Sequence, residues 1–266
     1  MISTETLWRD IEAIREQAPL VHNITNFVVM NTTANALLSL GASPVMAHAA
    51  DEVEEMVGLA SALVVNIGTL SQMWVDSMAK AIPAAAARTI PIVFDPVGAG
   101  ATRFRTESCL RLMGLAQPTV IRGNASEIMA LAGAQVQTRG VDSGAAVDDA
   151  QGAARQLAHQ WQCVVVVSGA SDLITDGEAL WWVDNGHAMM PRVTGLGCTA
   201  SALVGAFCAV NDQPLTAAAH AMSTLGICGE LAAESSVGPG SLQVAVIDAL
   251  YGLTREEVER RLRVRG

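Results

Sequence analysis

The segment VTGLGCTASALVGA, residues 193–206, sets two glycines and a cysteine at the head of an apolar, alanine-rich run with helical character. The first backbone N–H groups of a helix have no partner within it, and the aligned peptide dipoles make that end positive. Gly195 and Gly197 carry no side chain, so a phosphate can approach the backbone there. A tight strand-to-helix turn would use the same glycines for steric reasons alone. The spacing is neither G-x-G-x-x-G nor the P-loop with its lysine. Cys198 thus stands at a mouth suited to an anion, with no acidic residue beside it. A helix start lowers a thiol's pKa, which predicts that Cys198 is favoured as thiolate.

Other segments supply charge and hydroxyl groups. FDPVGAG places Asp95 just after an apolar run, where a carboxylate can hold magnesium through water or can simply stabilise a turn. In IRGNASEIMAL, Arg122 offers a fixed positive fork for phosphate. Asn124 and Glu127 have capping-box spacing, and Glu127 could also reach a hydrated metal. Capping alone accounts for Asn124 and Glu127 but leaves Arg122 unexplained. Ser168 closes CVVVVSG with a hydroxyl able to donate to a nucleotide phosphate. In VHNITNFVVMNTTANALLSLGASPVMAHA, Asn23 and Asn26 precede an apolar helix that ends at Gly41, and a short strand follows through Val45 and Met46. Met46 could wall an aromatic ligand or serve as an ordinary core methionine. His22, His48, His159, His187 and His220 show no metal-ligand spacing.

The elements that must position these residues are legible as short apolar runs: ALVVNIG (62–68), PIVFDPVG (91–98), PTVIRGN (118–124) and CVVVVSG (163–169). Consecutive apolar positions predict strands covered on both faces, and the helical stretches between them predict a parallel sheet with crossover helices. The fold class is therefore α/β. Each run ends in polar or glycine-bearing residues: Asn66 and Gly68, Asp95 and Gly98, Arg122 to Asn124, Ser168 and Gly169. Ligands of open parallel sheets lie beyond the carboxyl ends of the strands, so the chemistry is expected there. DLITDG and ALWWVDNG predict a hairpin around Asp176 and Gly177. Long helices begin near Gly197 and Pro214, GPGSLQVAVIDALYGL opens a last one, and REEVERRLRVRG reads as a solvated helix end. With no linker composition and no internal repeat, a single domain over residues 1–266 is expected.

A net charge of −10 argues against a general nucleic-acid binder, which needs a basic surface. No apolar run reaches the ~20 residues that span a bilayer, and MISTETLWRDIEAIREQ lacks the cationic start and apolar middle of a signal peptide. A cytoplasmic protein is expected, with neither membrane nor nucleic-acid partners. The cysteines 109, 163, 198, 208 and 228 form no close pair, which disfavours a disulfide framework and a structural zinc site.

LVHNITNFVVMNTTANALLSLGASPVM, IVFDPVGAGATRFR, IRGNASEIMAL and VTGLGCTASALVGA, in this order and with these separations, resemble the hydroxyethylthiazole kinase family of the ribokinase-like superfamily. The likeness runs over roughly residues 7–253. It implies a three-layer ribokinase-like fold, with a central, mainly parallel sheet covered by helices on both faces. It also implies transfer of phosphate from ATP, with Mg2+, to the hydroxyl of 4-methyl-5-(2-hydroxyethyl)thiazole in thiamin salvage. By this resemblance Met46 and Gly195 face the thiazole alcohol, Arg122 and Ser168 face ATP, and Asp95 and Glu127 stand on the metal side; Asn26 is expected beside the alcohol and Asn124 beside the nucleotide. Cys198, with Gly195 and Gly197, takes the catalytic position, where most ribokinase-like kinases carry aspartate. Ser168 replaces a frequent family threonine and keeps its hydroxyl. The family also implies a homotrimer with active sites between subunits. Another small alcohol as substrate, a covalent cysteine enzyme and a non-catalytic nucleotide-binding subunit are the competing readings.

Overall fold

The computed structural model describes residues 2–138 and 150–266. In chain order the elements are α1 (Thr4–Gln17), β1 (Leu20–Ile24), α2 (Met30–Leu40), β2 (Ser43–Val45), α3 (Val53–Leu59), β3 (Ala62–Asn66) and α4 (Gln72–Ala87). Next come β4 (Ile92–Asp95), α5 (Arg103–Met113), β5 (Val120–Asn124), α6 (Ala125–Thr138), α7 (Ala150–Trp161), β6 (Val164–Ser168), β7 (Asp172–Thr175) and β8 (Leu180–Val183). The chain closes with α8 (Leu196–Val210), α9 (Pro214–Ser235), α10 (Pro239–Gly252), α11 (Arg255–Arg261) and β9 (Val264–Arg265).

The nine strands of the described residues belong to one sheet, in the order β2-β1-β3-β4-β5-β6-β7-β8-β9. The first six in that order pair in parallel, and β7, β8 and β9 join antiparallel. Side chains alternate between faces along each strand, which splits the core in two. Ala62 and Val64 face the layer of α1, α2, α8, α9 and α10, whereas Leu63 and Val65 face α3 to α7. Burial from both sides explains why β3 and β4 read as unbroken apolar runs. This is the three-layer α/β arrangement expected of a ribokinase-like fold. A Cβ on Gly205 would lie 2.7 Å from Val64 Cγ2, so α8 rests directly on the central strands. Its start is thereby held over their carboxyl ends.

The hairpin forms as expected. Asp176 Oδ1 accepts from the amides of Glu178 and Ala179, and Gly177 takes φ +102°. Two elements differ from expectation. His22 and Asn23 interrupt any apolar run, yet β1 is a central strand paired on both sides. The C-terminal segment is not only a helix end, because Val264 and Arg265 pair with Val183 and Trp182. Both strands are decided by distant partners rather than by local pattern. Among the described residues, no helix is long and apolar enough to cross a membrane.

Candidate active site

At the head of α8, Gly195 takes φ +87°, and a Cβ there would lie 2.7 Å from Val29 Cγ1. A Cβ on Gly197 would lie 2.9 Å from Arg122 Nη1. The two glycines therefore serve a left-handed turn and the close approach of a guanidinium to the helix start. Arg122 leaves the end of β5 and is 8% exposed. Its Nη2 donates to Ser168 Oγ at 2.8 Å, across the β5–β6 pair, while its Nε is buried without a partner. Among the described residues, no carboxylate lies within ion-pair distance of it. A buried guanidinium with an unpartnered Nε and no direct ion pair is costly in an apolar interior. Here the guanidinium lines a cavity of about 620 Å³, walled by Ser168, Gly197 and Asp172 and by the apolar Met190, Leu196, Met222 and Leu225.

Asp172, at the start of β7, was not among the residues the sequence singles out. Its Oδ1 accepts from Gly169 N at 3.0 Å, which fixes the turn after Ser168. Burial pushes its carboxyl up to about 6, opposed by that Gly169 hydrogen bond and by the charge of Arg122. The available signal was an acid opening an otherwise apolar strand.

The other flank of α8 is a chain of hydrogen-bonded side chains built around the buried Asp95 carboxyl. Asn26 Nδ2 donates to Cys198 Sγ at 3.4 Å and to Asn66 Oδ1 at 2.9 Å. Asn66 Nδ2 donates to Asp95 Oδ2 at 2.7 Å, and Ser201 Oγ donates to the same oxygen at 2.7 Å. Asn26, Asn66, Asp95 and Ser201 are all buried. The turns beneath them are clamped by Arg105, whose guanidinium donates to the carbonyls of Ile67 (2.7 Å), Val97 (2.8 Å) and Gly68 (2.6 Å). Ser201 and Arg105 also escape sequence reading, since neither has a partner nearby in the chain. Burial pushes Asp95 up to about 6, with Arg122 the largest opposing influence. The Cys198 thiol is pushed up as well, first by burial and then by the Asp95 carboxylate, although hydrogen bonds from Asn66 and Asn26 oppose this. The thiolate predicted from the helix start alone is thus not favoured: desolvation and a neighbouring carboxylate outweigh the dipole.

Asn124 and Glu127 form the reciprocal cap of α6. Glu127 N donates to Asn124 Oδ1 at 3.0 Å, and Asn124 N donates to Glu127 Oε2 at 2.8 Å. Glu127 Oε1 also accepts from Gly98 N at 2.8 Å, which joins the cap to the turn after Asp95. Among the described residues, no group of three or more His, Cys, Asp or Glu side chains could hold a metal. Asp95 and Glu127 are close enough to influence each other electrostatically; Asp95 accepts both of its hydrogen bonds on Oδ2, and each Glu127 oxygen accepts one. That donor set fits a magnesium ion that keeps much of its water and takes further oxygens from phosphate. Met46 stands apart, half-buried just beyond β2 at the edge of the sheet. His22 Nε2 holds the adjoining Ala47 carbonyl at 2.7 Å. Trp74 stacks on His48 with centroids 4.1 Å apart and donates to the Thr25 carbonyl at 2.7 Å, bracing the loop that carries Asn26.

Comparison with known proteins identifies the family. The model of the hydroxyethylthiazole kinase family matches residues 11–256. The hydroxyethylthiazole kinase of Syntrophus aciditrophicus (strain SB) is 58% identical over 264 residues, covering 99% of this chain and 98% of that protein. That of Nitratidesulfovibrio vulgaris (strain DP4) is 55% identical over 263 residues, covering 97% and 98%. Among solved structures, hydroxyethylthiazole kinase from Pyrococcus horikoshii OT3 superposes with a TM-score of 0.91 at 46% identity, covering 98% of each chain. A pyridoxal kinase from Staphylococcus aureus in complex with AMP-PCP shares the fold at a TM-score of 0.61 and 17% identity, covering 80% of this chain and 88% of that one. With its ribokinase-like architecture and a match along nearly its whole length, the chain belongs to the hydroxyethylthiazole kinase family.

Proposed function

We propose that the protein transfers the γ-phosphoryl group of ATP to the hydroxyl of 4-methyl-5-(2-hydroxyethyl)thiazole, giving the thiazole phosphate and ADP. The alcohol oxygen bonds to the γ-phosphorus, the bond to the ADP oxygen breaks, and the hydroxyl proton is released. The observation that carries this reading is the buried Arg122 guanidinium, without an ion-pair partner among the described residues, lying against the start of α8 at the rim of a cavity. A polyphosphate supplies the direct ion-pair partner that Arg122 lacks, and the free amides of the helix start supply donors.

Arg122 and Ser168 hold the nucleotide phosphates, with Asn124 beside them. Asp95 and Glu127 would hold a magnesium ion, which would supply positive charge to neutralise the phosphates. Asn26, Met46 and Gly195 receive the thiazole alcohol. Phosphoryl transfer passes through a loose transition state, so alignment and charge neutralisation outweigh proton removal. A Cys198 thiol pushed upward suits that balance: it acts as a positioning group or weak base, while the Gly195 to Cys198 backbone does the larger electrostatic work. The protein works as a single kinase domain in the cytoplasm, where its nucleotide substrate is abundant. It assembles as a homotrimer with active sites between subunits. The exposed apolar side chains of Phe27, Val28 and Met73, around the loop that carries Asn26, support this assembly.

Incubating the purified protein with ATP, magnesium and the thiazole alcohol, with product detection by mass spectrometry, tests the reading. The phosphate ester and stoichiometric ADP are expected. Exclusive phosphorylation of a different alcohol, an acyl adduct on Cys198, or ATP bound without consumption would each favour one of the competing readings.

A further inference from the structure

The polar chain beside Cys198 has a direction, and two backbone amides set it. Gly68 N–H donates to Asn66 Oδ1 at 2.9 Å, and Val28 N–H donates to Asn26 Oδ1 at 3.1 Å. A carboxamide whose oxygen is claimed by a backbone donor must turn its nitrogen the other way. Asn66 Nδ2 consequently points at Asp95, and Asn26 Nδ2 points at both Asn66 Oδ1 and Cys198 Sγ. The packing leaves no slack, since a Cβ on Gly68 would collide with the Asn26 carboxamide.

We propose that Asn66 is a positioning residue for phosphoryl transfer: its carboxamide ties Asn26 and the Cys198 sulfur to Asp95, so that the acceptor hydroxyl and the phosphoryl group are held in one alignment. The proposal rests on the kinase reading above. Asn66 is 1% exposed and acts through its two neighbours rather than on either substrate. It is the one side chain that hydrogen-bonds to both Asn26 and Asp95 among the described residues. Donor and acceptor halves have separate tasks: the oxygen receives Asn26 and the Gly68 amide, and the nitrogen reaches Asp95. Losing either half lets the two sides of the site move independently.

The wild-type protein and the variants Asn66→Ala, Asn66→Asp, Asn26→Ala and Asn66→Ala/Asn26→Ala are compared by steady-state kinetics. Nucleotide affinity is measured by calorimetry with a non-hydrolysable ATP analogue. Because misplacement by an ångström is enough to cost about 100-fold, kcat is expected to fall roughly 10- to 100-fold in Asn66→Ala, with nucleotide affinity nearly unchanged. Asn66→Asp is isosteric and keeps the acceptor for Asn26 and Gly68 but replaces the amide donor with a second carboxyl against Asp95, and its kcat is expected to fall as far. The double variant is expected to be no worse than the poorer single one, because residues of one chain act as a unit. Circular dichroism checks folding, and if Asn66→Ala does not fold, Asn66→Asp carries the comparison with Asn26→Ala. Wild-type kcat in Asn66→Asp, or losses that multiply in the double variant, would overturn the assignment. A wild-type protein that makes no phosphate ester overturns the kinase reading and this one with it, whereas a fault in the Asn66 assignment alone shows only in the variants.

Discussion

The two flanks of the α8 start hold opposite kinds of polar group. On one, Asn26, Asn66 and Ser201 are neutral side chains whose hydrogen bonds are made within the protein, arranged around the buried Asp95 and the sulfur of Cys198. On the other, Arg122 keeps an unpartnered Nε and opens on a cavity of about 620 Å³ shared with Asp172. The hydrogen-bonded flank fixes geometry around the acceptor side, which suits an uncharged heteroaromatic alcohol that has to be oriented. The unsaturated flank keeps charge in reserve, which suits a polyanion. A buried group left unsatisfied is expensive, so its presence marks where a ligand completes the structure.

The largest expected effect breaks the charged flank. Arg122→Ala should lower kcat/KM for ATP by about 10²- to 10³-fold, the usual loss for one charge-stabilising donor, with affinity for the thiazole alcohol preserved. An unchanged ATP dependence in a coupled ADP assay would remove Arg122 from the site. Next in size, Gly197→Ala should cost on the order of 10-fold or more in the same assay, because its Cβ would sit 2.9 Å from Arg122 Nη1 and displace the guanidinium. If alcohol affinity fell instead, the division between flanks would be wrong. Cys198→Asp sharpens the comparison from the neutral side: turnover should be kept or raised, since the wild-type thiol is a poor base and proton removal is worth at most about 10²–10⁴-fold. Complete loss of turnover with the fold intact, seen by circular dichroism, would make the sulfur indispensable.

The smallest effect is on stability. Asp172 ionises near its ordinary value of about 4 when unfolded but only at about 6 when folded. Between those values the folded state binds more protons than the unfolded one, so this group makes stability fall as pH rises from about 4 to about 6. Asp172→Asn keeps an acceptor for Gly169 N and removes the ionisation. Its melting temperature should exceed that of the wild type by a few degrees at pH 7 and converge with it near pH 4. A constant difference across that range would show that the carboxyl does not titrate as its burial requires.

Much of this site was legible in the residues. The runs ending at Asn66, Asp95, Arg122 and Ser168 marked four parallel strands whose carboxyl ends meet, because double burial leaves an apolar signature that needs no partner to be recognised. Arg122 stood out because capping could not account for it. The capping box of Asn124 and Glu127 was equally readable, since both ends of that interaction lie within one turn. Asn66 read only as a polar strand end, and Asp172, Ser201 and Arg105 carried no legible task. Ser201 reaches Asp95 over 106 residues and Arg105 reaches Ile67 over 38, and although Asp172 bonds Gly169 only three residues back, its place on the Arg122 cavity is set by the sheet.

By itself the sequence determined the α/β class, the strand ends where chemistry gathers, and the glycine-bearing helix start with its cysteine, because those are short-range patterns of burial and backbone freedom. Only the tertiary structure decided that His22 and Asn23 lie in a central strand, that Gly197 makes room for Arg122, and that the thiol of Cys198 is pushed up rather than down. The reason is physical: desolvation, charge proximity and the orientation of a carboxamide depend on groups brought together across the sheet, and none of them exists until the chain has folded.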